Sequence, residues 1–501
     1  MEVIIITASF EDELRPPEIR DNSHYPIGLG YLHSFIESKG HNVTTLFLND
    51  YDPDECINTS MRVIDDVNPD VIGLQIMTSN RGYSFRLIEQ INKIFPDKRI
   101  IVGGIHVTVM YEQILEKYPF LIAVLGEGEL TFSELIDNCK SIENIDGIAF
   151  NHNGKILKTK ERALIENLDE LPFPKHEIFF NEERKCGGIL TSRGCPFSCT
   201  FCCLCSISQR KVRFRSVNNV VDEIEYLTKK FPEMSSLWIH DDSFFLDNNR
   251  VIAICNEIVN RGIKIEFICS GRMSPLKQQM VNALEKAGFT EILFGLESGA
   301  KEILRTVKKA ITKKDAINAI KLFSKSSIRV STLLIVGLPG ETIKTVKETI
   351  ELIQTLQKIK YIWFGNEIMK LLIYPGTEVY ELAKNKGVID DDYWLTDKRI
   401  PFYTAEHSLE TLNKFGNIIL NHICIGRIFT PSGFKAQRKM IPLIFKDKYF
   451  RRKFINQIFE TIISRDTINR IKRFLGLDRK TRKARVAFIK NLFGLPSSPK
   501  H

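Results

Sequence analysis

Thr191-Ser192-Arg193-Gly194-Cys195-Pro196-Phe197-Ser198-Cys199-Thr200-Phe201-Cys202-Cys203-Leu204-Cys205 gathers five of the chain's eleven cysteines into eleven consecutive residues. Cys195, Cys199 and Cys202 stand at CxxxCxxC spacing. On a flexible loop, three thiolates so spaced can converge on one face of a cubane iron-sulfur cluster, whose irons prefer soft sulfur ligands. Zinc is the alternative reading. It needs a fourth ligand, usually in two separated pairs, and Cys203 or Cys205 can supply one. Inert buried thiols are a weaker third reading, because Gly194 and Pro196 mark a loop rather than an apolar face.

Outward from this loop the chain alternates short apolar runs with helical periods. The runs are Gly188 to Thr191, Leu237 to His240, Ile265 to Cys269, Glu291 to Leu296, Val330 to Val336 and Ile362 to Ile373. Between the first two, Ser216 reads as an N-cap ahead of Val220, Val221, Ile224 and Leu227 on one helical face. Six parallel strands with helices outside predict a partial (βα)6 barrel of TIM type, with chemistry at the strand C-termini. The cysteine loop follows the first of these strands.

At this point the sequence resembles the radical S-adenosylmethionine (SAM) enzymes, whose CxxxCxxC loop carries an aromatic before its last cysteine, as Phe201 precedes Cys202 here. The resemblance runs from about Lys185 to Asp392. It implies that Cys195, Cys199 and Cys202 hold a [4Fe-4S] cluster with one iron open to SAM, which is cleaved to a 5′-deoxyadenosyl radical. It assigns SAM to a series of strand ends: Asp241 and Asp242 within Trp238 to Phe244, Ser270 and Arg272 after the third strand, Glu297 and Ser298 after the fourth, and Gly337 and Gly340 within Gly337-Leu338-Pro339-Gly340-Glu341. A carboxylate there can accept from the methionyl ammonium, and Arg272 can grip the carboxylate as a two-pronged donor. Cys203 and Cys205 match no family ligand position.

The first 147 residues show the same alternation, with runs at Val3 to Ile6, Val43 to Leu48, Val71 to Ile76, Ile100 to Val102 and Leu121 to Leu125. They predict a Rossmann-like, doubly wound parallel sheet whose binding edge lies beyond the strand ends. This segment resembles the cobalamin-binding domain often fused ahead of a radical SAM barrel. The carrying stretches are Pro26 to Leu32, Val71 to Leu74, Val102 to His106 and Leu125 to Glu129. The resemblance places cobalamin against Gly103, Gly104, Gly126 and Glu127, with Thr78 and Ser79 toward the nucleotide tail. A DxHxxG loop that would supply an axial histidine is absent; Asn22 to Gly28 is a near miss, and His24 and His106 read as ordinary residues rather than ligands.

Residues 148–184, with Pro172 and Pro174 in a polar stretch, read as a linker; 185–400 as the barrel; and 401–501 as a helical basic region. The formal charge of +9 sits mostly in the tail. From Pro431 onward 19 Lys or Arg face 4 Asp or Glu, a local +15 that leaves −6 for the rest. Within it, Ile468 to Phe493 reads as an amphipathic helix that can touch a membrane surface, contact RNA phosphates or simply cap the barrel. No RNA-binding signature accompanies it, so no nucleic-acid partner is expected.

At 501 residues, 43% hydrophobic and 26% charged, the chain is too apolar to be disordered. No apolar run approaches the roughly 20 residues that cross a bilayer. Met1 to Ile6 reads as a strand, not a signal peptide, which predicts a reducing, cytoplasmic setting. The function expected from the resemblance is a cobalamin-dependent C-methyltransferase acting on a small-molecule or lipid-like substrate, with flavodoxin or ferredoxin as electron donor. Oxidative ring closure or rearrangement is the alternative within the family. A methylthiotransferase would need a second three-cysteine cluster, and only Cys56 and Cys139 precede the linker. A zinc-stabilised nucleic-acid-binding protein is the alternative of another class.

Overall fold

The computed structural model describes residues 1–9, 26–48, 51–138, 141–180, 186–365 and 368–425. His24, Cys139 and the basic tail beyond residue 425 lie outside the described residues, as does the side chain of Cys205. Contacts divide the chain into one compact unit, Met1–Ile419, and a second, Leu420–His501.

The first sheet contains β1 (Glu2–Thr7), β2 (Asn42–Phe47), β3 (Val71–Gln75), β4 (Arg99–Gly103) and β5 (Ile122–Val124), all parallel, in the order β2-β1-β3-β4-β5. The intervening helices are α1 (Ile27–Ser38), α2 (Pro53–Val67), α3 (Arg81–Ile94), α4 (Ile105–Lys117) and α5 (Gly128–Asp137). Alternation along β1 explains their arrangement, because successive strand residues face opposite sides. Val3 and Ile5 join a core with residues of α1 and α5, while Ile4 and Ile6 join another with residues of α2, α3 and α4. This is the doubly wound architecture expected.

Residues 148–158 depart from expectation. Instead of starting a linker, they form a hairpin, β6 (Ile148–His152) and β7 (Lys155–Lys158), that extends the first sheet antiparallel to β5. Its polar turn, Asn151 to Gly154, disguises two short strands of which the outer is largely exposed. A buried Ile148, Ala149 and Phe150 hold the inner one to the core.

The second sheet opens with β8 (Cys186–Ile189), from which the chain enters a small antiparallel pair, β9 (Ser192–Arg193) with β10 (Arg213–Phe214). The short α6 (Cys205–Ser208) lies between those two strands. Then follow α7 (Val217–Lys230), β11 (Ser236–Ile239), α8 (Asn248–Asn260), β12 (Glu266–Gly271), α9 (Gln278–Ala287) and β13 (Phe289–Glu297). The last part comprises α10 (Lys301–Thr306), α11 (Lys313–Phe323), β14 (Arg329–Val336), α12 (Ile343–Ile359), β15 (Ile362–Trp363), β16 (Met369–Lys370), α13 (Glu378–Asn385) and α14 (Leu409–Leu420). Strand order β8-β11-β12-β13-β14-β15, parallel throughout, makes the partial barrel. Ser216 caps α7 as expected, its side chain accepting from Asn219 N. The run Ile362 to Ile373 is not one strand but two, β15 and β16, both paired with β14 around a break at Gly365, where φ is +80°.

The α2–α4 core continues without interruption into Leu338, Ile373, Tyr380 and Trp394 of the barrel side. A shared apolar core explains why both sheets belong to one compact unit.

Candidate active site

The cysteine loop starts from a base held almost entirely by side chains of β11's C-terminal end and α8. Asp241, 2% exposed, accepts from Thr191 N (2.5 Å), Thr191 Oγ1 (2.5 Å), Ser192 N (3.1 Å) and Ser192 Oγ (2.6 Å). Arg250 donates to Thr191 O (2.6 Å) and Thr191 Oγ1 (3.1 Å). Burial pushes the Asp241 carboxyl up, against the lowering effect of the Ser192 and Thr191 donors. Both its oxygens are engaged by the loop's first two residues, a role the sequence did not suggest for this expected SAM contact. It anchors the loop.

Its neighbour Asp242 accepts from Gly194 N (2.9 Å) and also faces the cleft described below. Burial raises its carboxyl to about 6, with the Gly194 N–H opposing and the Asp241 charge adding. Gly194 itself has φ +94°, and a Cβ there would collide with the Lys211 carbonyl. Only glycine fits.

Beyond this base, Cys195, Cys199 and Cys202 are partly exposed, as is Cys203. Backbone bonds clamp the loop against the barrel: Thr200 N donates to Val307 O (3.2 Å), and Val379 N to Thr200 O (3.0 Å). Burial pushes the Cys195 thiol up and Cys202 to about 12, the latter raised further by Cys203, Cys199 and Cys195. Thiols so placed become thiolates when a metal centre supplies the compensating charge. Among the described residues no group of three His, Cys, Asp or Glu side chains is drawn together as around a single metal ion, and Cys195, Cys199 and Cys202 are among those so described.

Arg272 lies next to Cys199, and Lys309 links it to Glu297. The Arg272 guanidinium lies 3.7 Å over the Phe197 ring, with Nη1 3.8 Å from Cys199 Sγ and Nη2 donating to Lys309 O. Its Nε is buried without a hydrogen-bond partner among the described residues. Glu297 pairs with Lys309 at 2.7 Å, both almost fully buried. Gly295 makes room for that pair, since a Cβ there would collide with the Glu297 carboxylate and stand 2.8 Å from Lys309 Nζ. Glu297 takes φ +61° at a register shift between β13 and β14, a strained conformation for a non-glycine.

The other expected SAM residues have these surroundings. Ser298 Oγ lies 3.2 Å from Thr349 Oγ1 and accepts from Ala300 N, just ahead of α10. Ser270 is partly exposed on β12, two residues beyond Ile268, which pairs with Trp238 in register. Trp238 and His240 stack at 5.8 Å and 8°. Gly337 N donates to Glu341 Oε2 (2.6 Å) and Gly340 N to Glu406 Oε2 (2.7 Å), so carboxylates organise this turn.

Burial raises the Glu341 carboxyl to about 7, the Gly337 N–H opposing. The native state then keeps a proton that the unfolded chain releases near its ordinary value, so this group's contribution weakens as pH rises from about 4.5 to 7. Glu341→Gln is expected to remove on the order of 3 kcal/mol of that pH dependence. Denaturant unfolding of both proteins at pH 5 and pH 8 measures it.

Between the C-terminal ends of the first sheet and the cysteine loop lies a cleft of about 350 Å³. Gly28, Gly73, Gly103, Gly104, Gly126 and Gly128 line one side, with Leu29, Leu32 and Phe132; Ser192, Arg193, Gly194 and Asp242 form the other. Side chains at the glycines would fill it or break its wall: a Cβ on Gly73 would stand 2.9 Å from Phe132 Cζ, and one on Gly104, at φ +104°, 2.7 Å from Ile76 O. Such a glycine-lined slot fits a large ligand that needs close backbone approach.

Of the residues expected there, Gly103, Gly104, Gly126 and Glu127 line the cleft, but Glu127 is engaged otherwise. It takes both Nη atoms of Arg213 (2.8 and 2.9 Å), Arg193 Nη1 (3.1 Å) and Ile165 N (3.0 Å). Burial would raise it, yet the two arginines bring it below the ordinary value. Thr78 and Ser79 do not line the cleft; Thr78 Oγ1 lies 3.2 Å from His106 Nδ1 in the opposite core. Burial and the Arg81 charge lower His106 to about 3, so its imidazole is neutral. Gly73 lies in the Val71 to Leu74 stretch that carries the resemblance, whereas Phe132, Arg193 and Arg213 escaped the sequence reading.

Residues 189–353 match the radical SAM superfamily and residues 20–136 the B12 binding domain. An uncharacterised methyltransferase of Pyrococcus horikoshii is 29% identical over 436 residues, covering 84% of this chain and 93% of that protein. The anaerobic magnesium-protoporphyrin IX monomethyl ester cyclase of Rubrivivax gelatinosus is 27% identical over 346 residues, 65% of this chain and 61% of the cyclase. The fold is shared with OxsB, a cobalamin-dependent SAM radical enzyme solved with aqua-cobalamin and SAM bound, at TM-score 0.66 and 18% identity over 95% of this chain and 75% of that one. Residues of both matched regions line the cleft, and the chain is a radical SAM superfamily enzyme with a B12 binding domain ahead of its barrel.

Proposed function

We propose that this chain is a cobalamin-dependent C-methyltransferase of a small-molecule or lipid-like substrate. The observation that carries the reading is that the glycine-lined cleft is walled on its far side by Ser192, Arg193 and Gly194, the residues leading directly into Cys195. A ligand filling the cleft would thus abut whatever the three cysteines hold. When bound, the [4Fe-4S] cluster, SAM and cobalamin supply one-electron bond cleavage and a transferable methyl group.

The protein's own part is ligation, orientation and exclusion of water. Cys195, Cys199 and Cys202 would ligate the cluster, and Asp241 fixes the loop that presents them. Arg272, with Nη1 beside Cys199 and its Nε unpartnered, would grip the methionyl carboxylate; Asp242 and Glu297 would orient its ammonium or ribose. Leu29, Leu32 and Phe132 supply apolar walls to the cobalamin slot. A flavodoxin or ferredoxin would deliver the electron in a cytoplasmic setting. No described helix is long and apolar enough to cross a membrane. A second reading, oxidative cyclisation, is favoured by the similarity to the Rubrivivax cyclase.

Gly103→Leu tests the slot. The added Cβ would meet Val124 Cβ at an ordinary 3.6 Å, so the fold should tolerate it while the rest of the side chain enters the cleft. Hydroxocobalamin affinity is expected to fall at least about tenfold, with iron content unchanged; equal cobalamin affinity overturns the placement. The two reactions separate by product analysis in extracts of the source cells: methyl transfer consumes SAM to S-adenosylhomocysteine as well as 5′-deoxyadenosine, whereas cyclisation yields no S-adenosylhomocysteine.

A further inference from the structure

We infer that Arg193 is a positioning residue that couples occupancy of the cleft to occupancy of the cysteine loop, an inference that rests on the reading of these as cobalamin and cluster sites. Arg193 stands two residues before Cys195 and reaches across to the first sheet. Its Nη1 donates to Glu127 Oε1 (3.1 Å) and its Nη2 to Glu129 Oε1 (2.6 Å), and its guanidinium lies 4.9 Å over the Tyr31 ring. All of these side chains are largely withdrawn from solvent, Arg193 at 14% exposure and its two carboxylates at 12% and 6%. A planar donor clamped between two buried carboxylates holds its position far better than a surface pair.

Topology makes the clamp informative. Arg193 and Arg213 are register partners in the β9–β10 pair, and both grasp the carboxylate of Glu127. Glu127 lies between Gly126 and Gly128, which line the cleft. A glycine on each side would let this turn move freely, but the two arginines pin its centre to the hairpin from which the cysteine loop springs. Setting the glycine turn against a ligand therefore sets Arg193, and setting the cysteine loop around a cluster sets the turn. Each ligand removes part of the ordering that the other requires, and by linkage the effect is reciprocal. Glu127, expected to be a cofactor contact, acts here as the joint.

The test is the affinity of hydroxocobalamin, by anaerobic equilibrium dialysis, for iron-depleted and cluster-loaded forms of the full chain. Cluster loading is expected to tighten binding about five- to tenfold in the unaltered protein. In Arg193→Gln and Glu129→Gln the ratio should fall below about twofold, with Arg193→Lys in between because one ammonium cannot bridge both carboxylates. The ratio compares two states of one protein, so uniform destabilisation cancels. A ratio of one in the unaltered chain, or an undiminished ratio in Arg193→Gln, overturns the coupling; if that variant does not fold, the Glu129→Gln ratio decides in the same way. Failure of hydroxocobalamin to bind in either state overturns the cobalamin reading itself, whereas binding without coupling overturns only this inference.

Discussion

Alanine at any one of Cys195, Cys199 or Cys202 is expected to reduce iron retention to a small fraction and reductive SAM cleavage to background. A cubane held by three protein thiolates loses a corner ligand in each variant, and Cys203 matches no family ligand position. The same change at Cys203 is expected to leave iron content within about twofold. This contrast separates ligands from bystanders within one loop, and iron and sulfide analysis of anaerobically reconstituted protein reads it. Equal losses at Cys203 would assign it a ligand role.

A comparable collapse is expected from a residue that touches no metal. Asp241→Ala strips the partner from two backbone N–H groups and two hydroxyls at the base of the cysteine loop, all of them buried. Each buried donor left unmade costs about 1–3 kcal/mol, the hydroxyls less because they can rotate toward other acceptors. The loop should lose its fixed path between β8 and Cys195, and iron retention is expected to drop by about tenfold or more, as when an outer partner of a metal site is removed. Asp241→Asn keeps one acceptor oxygen but turns an amide toward donors, so it should fall between. Unchanged iron content in Asp241→Ala would show that the loop is held otherwise, and thermal unfolding distinguishes loop loss from global collapse.

Both the ligands and the strand rhythm are legible in the sequence because each is local. CxxxCxxC is a contiguous spacing, and runs such as Val71 to Ile76 or Val330 to Val336 declare strands by composition alone. What escapes is whatever depends on distant partners. Asp241 looks like a free carboxylate until Thr191 and Ser192, about fifty residues earlier, are seen to take its oxygens. Glu127 and Ser298 escape for the same reason, their partners Arg213 and Thr349 being far along the chain. Residues 148–158 read as linker because a hairpin with an exposed outer strand has the polar composition of one. Thr78 follows β3 as expected, but the turn carries it to the α4 face beside His106, away from the cleft. Residue type thus announces chemistry, and topology decides which of several carboxylates or hydroxyls remains available for it.

Anaerobic reconstitution of the full chain with iron, sulfide and hydroxocobalamin tests most directly whether an iron-sulfur loop and a cobalamin slot share one compact unit. After removal of unbound material, the protein should hold about four irons and about one cobalt per chain and release 5′-deoxyadenosine from SAM on reduction. A colourless protein that retains zinc in place of iron, or one that holds the cluster but never cobalt, would contradict it.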